Sequence, residues 1–166
     1  MKTNMWKRNL AAVMTATVVL AGAGTSVPVF AKEAQEENNT KTMNGFEYQI
    51  NEDKKTQKTY VVICKYTGNE KNITIPKSIE GIPVTAIGMS AFSGSKTLES
   101  LVIPNNIKTL GWWAFSNCTK LKNLKLSGSV SEIGMDCFSG CTSLTSVTIP
   151  NGVKSLAPGA FMHCTK

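Results

Sequence analysis

The chain has 166 residues, of which 42% are hydrophobic and 17% are charged, and its formal net charge is +7 at pH 7. This length suits one domain, and this composition excludes a wholly disordered protein. The charge does not indicate a nucleic-acid partner. Proteins that bind nucleic acid usually present arginines on a basic face, and the only arginine here, Arg8, lies in a segment that we expect to be removed.

The N-terminal segment has the three parts of a secretory signal peptide. Three positive charges in the first eight residues precede an uncharged apolar run at 10–24 and a small-x-small cleavage site at 29–31. The run is too short to span a bilayer comfortably, which favours a cleaved signal over a membrane anchor. Loss of residues 1–31 lowers the net charge from +7 to about +4 and leaves no transmembrane segment. We therefore expect a mature chain that begins at Lys32 and is secreted or held at the cell surface.

Two different segments follow the cleavage site. Residues 32–44 are polar and lack periodicity, so they are predicted to form a flexible linker. Two β-rich runs at 46–50 and 60–64 are then separated by a charged loop, and apolar and polar residues alternate in the first run as in a half-buried strand. These runs predict a β-hairpin within 45–71 that caps the domain after it.

From residue 72 onward the chain consists of repeats, and their period is 23 residues. One phenylalanine position, one cysteine position and several aliphatic positions recur in step. The phenylalanine position holds Phe92, Phe115, Phe138 and Phe161. The predicted units are 72–97, 98–120, 121–143 and 144–166. The first is longer because residues 78–83 contain an insertion.

Each unit contains two short extended segments and one compact turn. One such unit cannot bury its apolar face alone, whereas stacked units can cover one another. The predicted fold is therefore a β-rich solenoid, right-handed or horseshoe-like, in which short parallel strands stack about 4.8 Å apart. Turns or single helical turns are expected to join the strands, and the leucine, isoleucine, phenylalanine and cysteine positions are expected to fill the inside.

The repeat pattern resembles that of the BspA-like leucine-rich repeat family of bacterial surface and secreted proteins, L-x-x-[VL]-x-[IL]-P-x-x-[VI]-x-x-[IL]-G-x-x-[AC]-F-x-x-C-x-x. The resemblance covers residues 72–166 and is clearest at 145–153 and in the long first variant at 75–84. Residues 126–127 lack the usual proline, and Ala157 replaces the usual glycine. The resemblance implies a leucine-rich-repeat solenoid with a hairpin cap, and a role in binding rather than catalysis.

The cysteines invite a chemical explanation, because an odd number in a secreted chain suggests a free thiol or an intermolecular bridge. Three of the five, Cys118, Cys141 and Cys164, share one repeat position. A line of ligands does not make a tetrahedral metal site, and parallel side chains rarely reach the dihedral angle of a disulfide. A buried ladder of small apolar side chains is therefore favoured, with Cys137 also expected in the core.

Residues for catalysis or metal binding are scarce. The only histidine, His163, is either a general base or metal ligand or a solvated loop residue. Its repeat equivalents are Gly94, Asn117 and Gly140. These residue types favour the solvated loop. The carboxylates of Glu99, Glu132 and Asp136 do not repeat in register. We predict no catalytic residue, no metal ligand and no cofactor.

Two surfaces are candidates for binding. The first is the outward face of the main strands, formed by Ser100, Val102, Asn123, Lys125, Ser146 and Thr148. It suits contact with proteins or glycans, or it is simply solvated. The second is an apolar row with a neighbouring indole, formed by Met89, Trp112, Met135 and Trp113. Such a row marks binding when it is exposed, whereas local packing is the alternative.

The favoured function is an adhesin-like protein–protein interaction module, secreted or at the cell surface, that binds host or matrix proteins. Two alternatives stay open: a non-catalytic targeting domain of a longer secreted protein, and a carbohydrate-binding protein that uses Trp112 and Trp113. The last repeat ends at its boundary with nothing after it. This end is expected either to continue in a longer array or to self-associate, because an uncovered strand edge invites pairing.

Overall fold

The computed structural model describes residues 39–165, so the predicted signal peptide lies outside the described residues. Within this range eleven short strands are joined by turns, and no helix is present that could cross a membrane. The strands are β1 (Lys41–Met43), β2 (Phe46–Glu52), β3 (Thr59–Tyr66), β4 (Asn72–Thr74), β5 (Ser78–Ile79), β6 (Ile82–Ile87), β7 (Ser100–Val102), β8 (Thr109–Leu110), β9 (Asn123–Lys125), β10 (Glu132–Ile133) and β11 (Ser155–Leu156).

The larger sheet, sheet A, runs in the order β1-β2-β3-β6-β8-β10-β11, with β5 paired to β6. Its first three strands are antiparallel, and from β3 onward every step along this order is parallel. The register places Ile63, Ile87, Leu110, Ile133 and Leu156 side by side. The first four of these residues are buried and form one row of the core, whereas Leu156 at the end of the row is exposed.

The smaller sheet, sheet B, contains β4, β7 and β9 in parallel. Its central register aligns Ile73, Leu101 and Leu124. Ile73 and Leu101 are buried, and Leu124 is partly buried against the core. The two sheets confirm the predicted solenoid of stacked coils. The first three repeats each contribute a strand to both sheets, and the fourth contributes β11 to sheet A.

The predicted hairpin forms from β2 and β3, but it does more than cap the domain. β3 pairs in parallel with β6 and thereby also serves as the first strand of the solenoid. The prediction of a linker through residue 44 is wrong for Lys41–Met43, which form β1 against β2. The two-residue turn that joins them is Asn44-Gly45, with φ values of 48° and 78°. Asn-Gly is a strong signal for such a hairpin turn, so the sequence already held the evidence for β1.

An aromatic stack runs through the inside. Phe92, Phe115, Phe138 and Phe161 are stacked with ring centroids 4.9, 5.2 and 5.2 Å apart. Tyr66 of the hairpin continues the stack, 5.2 Å from Phe92. The rings therefore follow the spacing of the coils, which is close to the separation of neighbouring strands.

The compact turns form a third ladder instead of helical turns. Ser90, Phe92 and Gly94 donate their N–H groups to carbonyls of the next coil at 2.9, 2.7 and 2.7 Å. Two positions in each turn have positive φ: one holds Ser90, Trp113, Asp136 and Gly159, and the other holds Gly94, Asn117, Gly140 and His163. Glycine, asparagine and histidine tolerate this conformation, which explains the residue types at the second position.

One glycine row marks the closest approach of neighbouring coils. A Cβ atom on Gly111 would lie 2.7 Å from the carbonyl carbon of Gly88, and one on Gly134 would lie 2.8 Å from that of Gly111. Neither contact is possible without movement of the backbone. The close approach of the coils at Gly111 and Gly134 therefore depends on the absence of a side chain at these two residues.

An ion pair ties β1 to the insertion in the first repeat. Lys41 Nζ lies 2.9 Å from Glu80 Oε2, and the hydroxyl of buried Tyr48 donates to Glu80 Oε1 at 2.8 Å. The hydrogen bond from Lys41, followed by the one from Tyr48, holds the pKa of Glu80 below its ordinary value of 4.5. The carboxylate thus joins β1, β2 and the insertion.

We expect Gly111→Ala to destabilise the fold by about 1–3 kcal/mol, because the added methyl group must displace backbone atoms. Gly128→Ala is the matched control, since a Cβ atom there meets nothing within 4 Å and the backbone does not have positive φ. Urea unfolding followed by circular dichroism measures both. Equal free energies of unfolding for the two variants would contradict the close approach.

We expect Glu80→Gln to lower the free energy of unfolding at pH 7. Because the pKa of Glu80 is lowered in the fold, its contribution is present above the unfolded value of about 4.5 and is lost as pH falls through the folded value. Urea unfolding at pH 7 and pH 3 should therefore show a larger deficit at pH 7 than at pH 3. Glu132→Gln, at an exposed carboxylate without an ion pair among residues 39–165, serves as the control. A deficit of equal size at both pH values would show that the ionised carboxylate of Glu80 does not stabilise the fold through Lys41 and Tyr48.

Candidate binding surfaces

The apolar row predicted from the sequence is exposed. Met89, Trp112 and Met135 are 63%, 54% and 38% exposed, and they occupy the same position on three successive coils. Each directly follows a glycine of the close-approach row, where β6, β8 or β10 passes into a turn. We call these three residues the ridge. Their regular spacing follows from the ladder that holds the coils.

The two tryptophans have different surroundings. The Trp112 and Trp113 rings meet edge to face, with centroids 6.2 Å apart and planes at 88°. Trp113 has a φ of 54°, is 38% exposed, and donates its indole N–H to Asp136 Oδ2 at 3.2 Å. Trp112 Cδ1 lies against Gly134, and more than half of the side chain is exposed. Local packing therefore holds Trp113, whereas Trp112 is open to a partner.

The predicted strand face forms a separate surface on sheet B. Five of its six residues line one open depression of about 350 Å³: Ser100, Val102, Asn123, Lys125 and Ser146. Thr148 is exposed but does not line it. The structure thus brings the strand residues together, and it places the ridge on the turns that follow sheet A.

A charged cluster crosses the edge of this strand face. Glu99 lies 3.4 Å from the Nζ atoms of both Lys71 and Lys122. Lys122, followed by Lys71, keeps the pKa of Glu99 below its usual value. These three residues belong to three successive coils, so their charges are satisfied by one another.

The repeated cysteines form the buried ladder that the sequence predicts. The thiols of Cys118, Cys141 and Cys164 donate to the carbonyls of Phe92, Phe115 and Phe138 at 3.2, 3.3 and 3.3 Å. Cys118 and Cys141 are buried, Cys164 is partly buried, and all five cysteines are free. The ladder therefore consists of packed thiols that hydrogen-bond to the preceding coil.

Burial separates Cys118, Cys137 and Cys141 from solvent. The pKa of two of them is raised, whereas the hydrogen bond with Cys141 lowers the pKa of Cys118. Burial raises the pKa of the Cys137 thiol, and the adjacent Cys118 thiol together with burial raises the pKa of Cys141. A thiol must ionise to act as a nucleophile or a metal ligand. Among residues 39–165, no group of three or more histidine, cysteine or carboxylate side chains is placed to hold a metal ion. His163 is exposed on its turn.

One further surface is not predicted from the sequence. The loop between β2 and β3 overhangs the outer face of sheet A and forms an open groove of about 1050 Å³ with it. Four lysines line this groove: Lys54, Lys55, Lys58 and Lys108. The run Lys54-Lys55-x-x-Lys58 is visible in the sequence. Its position over β6 and β8 follows only from the way in which the hairpin docks.

A family comparison accounts for the repeats. The model of the BspA type leucine rich repeat region matches residues 59–166 in six copies. The match begins at the first residue of β3, inside the hairpin, which agrees with the role of β3 as the first strand of the parallel ladder. Comparison with curated proteins gives no match.

Solved structures of bacterial leucine-rich repeat proteins share the fold. The T. pallidum leucine-rich repeat protein is 29% identical, with a TM-score of 0.58 over 74% of this chain and 67% of its own. A leucine-rich repeat protein from Bacteroides capillosus is 24% identical, with a TM-score of 0.66 over 76% and 94%. A leucine rich cell surface protein from Faecalibacterium prausnitzii is 30% identical, with a TM-score of 0.60 over 75% of this chain and 40% of its own.

We expect the buried thiols to be protected in the folded chain. A Cys64→Ser/Cys164→Ser variant removes the two half-buried thiols and leaves the three buried ones. Reaction with Ellman's reagent at pH 8 should then be negligible for the folded variant and should reach three thiols in guanidinium chloride. Rapid reaction of the folded variant would show that the ladder is open to solvent.

Proposed function

The chain belongs to the BspA-type leucine-rich repeat family, and from this premise we propose that it is an adhesin-like module that binds host or matrix proteins. The observation that carries the proposal is the ridge, three large apolar side chains exposed at one position of successive coils. Monomeric soluble proteins rarely leave such side chains grouped on their surface without a partner.

The ridge suits a protein partner for two reasons. Tryptophan is enriched among the residues that contribute most to interfaces, and Trp112 is the largest and most central member of the ridge. The backbone beneath it is held by hydrogen bonds between coils, such as Ser90 N–H to Trp112 O at 2.9 Å and Trp113 N–H to Met135 O at 2.9 Å. A rigid surface has less freedom to lose on binding, which favours affinity.

The strand face offers polar contacts beside this apolar anchor. Its exposed Asn123, Lys125 and Ser146 are not engaged in hydrogen bonds between side chains or in ion pairs among the described residues. Protein interfaces combine an apolar centre with a polar rim, and hydrogen bonds at the rim fix the orientation of the partner. The strand face therefore supports the same function as a second contact area.

An extracellular location is part of this proposal. The predicted signal peptide in residues 1–31 supports export, and one similar structure is that of a leucine rich cell surface protein. Free cysteines do not oppose export, because Cys118, Cys137 and Cys141 are buried inside the fold, away from solvent. Host or matrix proteins would then be within reach.

A second candidate is a carbohydrate-binding or targeting domain within a longer secreted protein. The exposed indole of Trp112 favours it, because aromatic faces also stack on sugar rings. This chain spans 40% of the Faecalibacterium cell surface protein, so the repeats occur elsewhere as one part of a longer chain. The same binding experiment separates the two candidates.

We expect the chain to bind at least one protein in a panel of extracellular-matrix proteins and glycans, measured by biolayer interferometry. Trp112→Ala should raise Kd about thirtyfold, equivalent to about 2 kcal/mol, as for a central interface tryptophan. Met89→Ala should also weaken binding. Met162→Ala is the matched control, because Met162 is 51% exposed but lies outside the ridge.

The outcomes separate the hypotheses. Binding to a protein that survives both ridge substitutions would remove the ridge from the proposal. Binding to glycans alone, with loss in Trp112→Ala, would favour the carbohydrate-binding candidate. Thermal unfolding of each variant shows whether the fold is retained, and little change is expected because both side chains are exposed.

A further inference from the structure

The loop between β2 and β3 is internally fixed. Asp53 Oδ1 accepts hydrogen bonds from the N–H groups of Lys55 and Thr56 at 2.8 and 3.1 Å. The backbone N–H of Asp53 donates to Lys58 O at 2.9 Å, and the backbone carbonyl of Asp53 accepts from Gln57 N–H at 2.7 Å. Gln57 closes the loop with a φ of 58°. The lysines on the loop therefore project from a defined backbone.

This loop forms one wall of the open groove described above, which we call the hairpin groove. The outer face of sheet A forms its floor. Val62 from β3, Pro83 and Ala86 from β6, and Thr109 from β8 line the floor. Val62, Ala86 and Thr109 are partly exposed, and Pro83 is exposed. The floor is thus a shallow apolar strip bordered by threonine hydroxyls.

The charges around the groove are unbalanced. Lys54, Lys55 and Lys58 on the loop and Lys108 on the opposite side are exposed, and none forms an ion pair among residues 39–165. Among the described lysines only Lys41, Lys71 and Lys122 form ion pairs, so the groove differs from the rest of the surface in bringing four unpaired lysines together. Two carboxylates, Glu52 and Asp53, also line the groove, and that of Asp53 is occupied by backbone N–H groups of its own loop.

We propose that the hairpin groove binds an acidic segment of another polypeptide. The four lysines attract carboxylates, and complementary charge directs a partner to this end of the solenoid. The apolar floor accepts the side chains between those carboxylates. The volume of about 1050 Å³ is at the upper end of ordinary ligand sites and is open, which suits a short extended peptide.

The floor distinguishes this partner from other polyanions. A sulfated glycan would use the lysines but would leave Val62, Pro83 and Ala86 without apolar contact. A peptide in which glutamate alternates with valine can place its two kinds of side chain on opposite sides, one toward the lysines and the other toward the floor. Lysines without arginines also lack the planar donors that suit bidentate recognition of phosphate.

The hairpin groove and the ridge are different surfaces. The groove is lined by residues 52–62, 83–86 and 108–109, and the ridge comprises Met89, Trp112 and Met135. Binding of an acidic segment in the groove is therefore separate from the proposed adhesin function at the ridge, and each can be tested without the other. Trp112→Ala should leave binding in the groove unchanged.

The test uses the full chain and a fluorescein-labelled peptide of alternating glutamate and valine, measured by fluorescence anisotropy. The control peptide replaces each glutamate with glutamine. We expect saturable binding of the acidic peptide and no measurable binding of the neutral one. Binding of the acidic peptide should weaken about tenfold when salt is raised from 50 to 500 mM. This measurement needs no variant.

A matched pair of variants locates the site. Lys54→Ala/Lys55→Ala/Lys108→Ala removes three exposed charges from the groove and should weaken binding of the peptide roughly tenfold or more. The control is a triple variant at three exposed lysines outside the groove: Lys65→Ala, Lys96→Ala and Lys120→Ala. It has the same net charge and should bind within about threefold of the unaltered chain.

Three results would overturn the proposal. Equal loss in both triple variants would mean that net charge, and not the groove, attracts the peptide. Equal affinity for the neutral and the acidic peptide would show that the lysines do not contribute to peptide binding. Displacement of the acidic peptide by heparin at a lower concentration than by unlabelled peptide would identify the groove as a site for sulfated glycans.

Discussion

The backbone hydrogen bonds between successive coils set the spacing on which the rest of this structure depends. In the turns, alternate N–H groups reach carbonyls of the next coil at 2.7–3.2 Å, as from Phe92 to Ala114 and from Trp113 to Met135. In the sheets, short parallel strands continue the same ladder. Each coil satisfies its polar backbone groups through its neighbours, so no coil is stable alone.

This spacing determines what each repeat position can hold. Aromatic rings can stack because coils lie about one strand separation apart, with centroids 4.9–5.2 Å apart from Tyr66 to Phe161. Thiols at the cysteine position reach a carbonyl of the preceding coil, whereas glycine is required at position 111 because a Cβ would meet the chain beneath it. The recurring residues are thus the ones that fit a fixed separation.

The same ladder explains why the candidate surfaces differ in kind. The ridge is a product of the repeat, since one exposed position recurs on coil after coil. The hairpin groove arises where the repeat begins, because the loop of the β2–β3 hairpin extends over β6 and β8. Glu99 is paired with lysines on neighbouring coils, whereas the groove brings together four lysines that form no ion pair among the described residues.

The sequence by itself determined the solenoid, the buried phenylalanine and cysteine rows and the hairpin, because a period of 23 residues places equivalent side chains in equivalent environments. It also contained the Asn44-Gly45 turn that indicates β1, although the polar composition of residues 32–44 favoured a linker. Only the tertiary structure decided that β3 is the first strand of the ladder, that Trp112 is open while Trp113 is held by Asp136, and that the hairpin lysines face Lys108. These features depend on contacts between segments that no local pattern relates, so the folded arrangement alone fixes them.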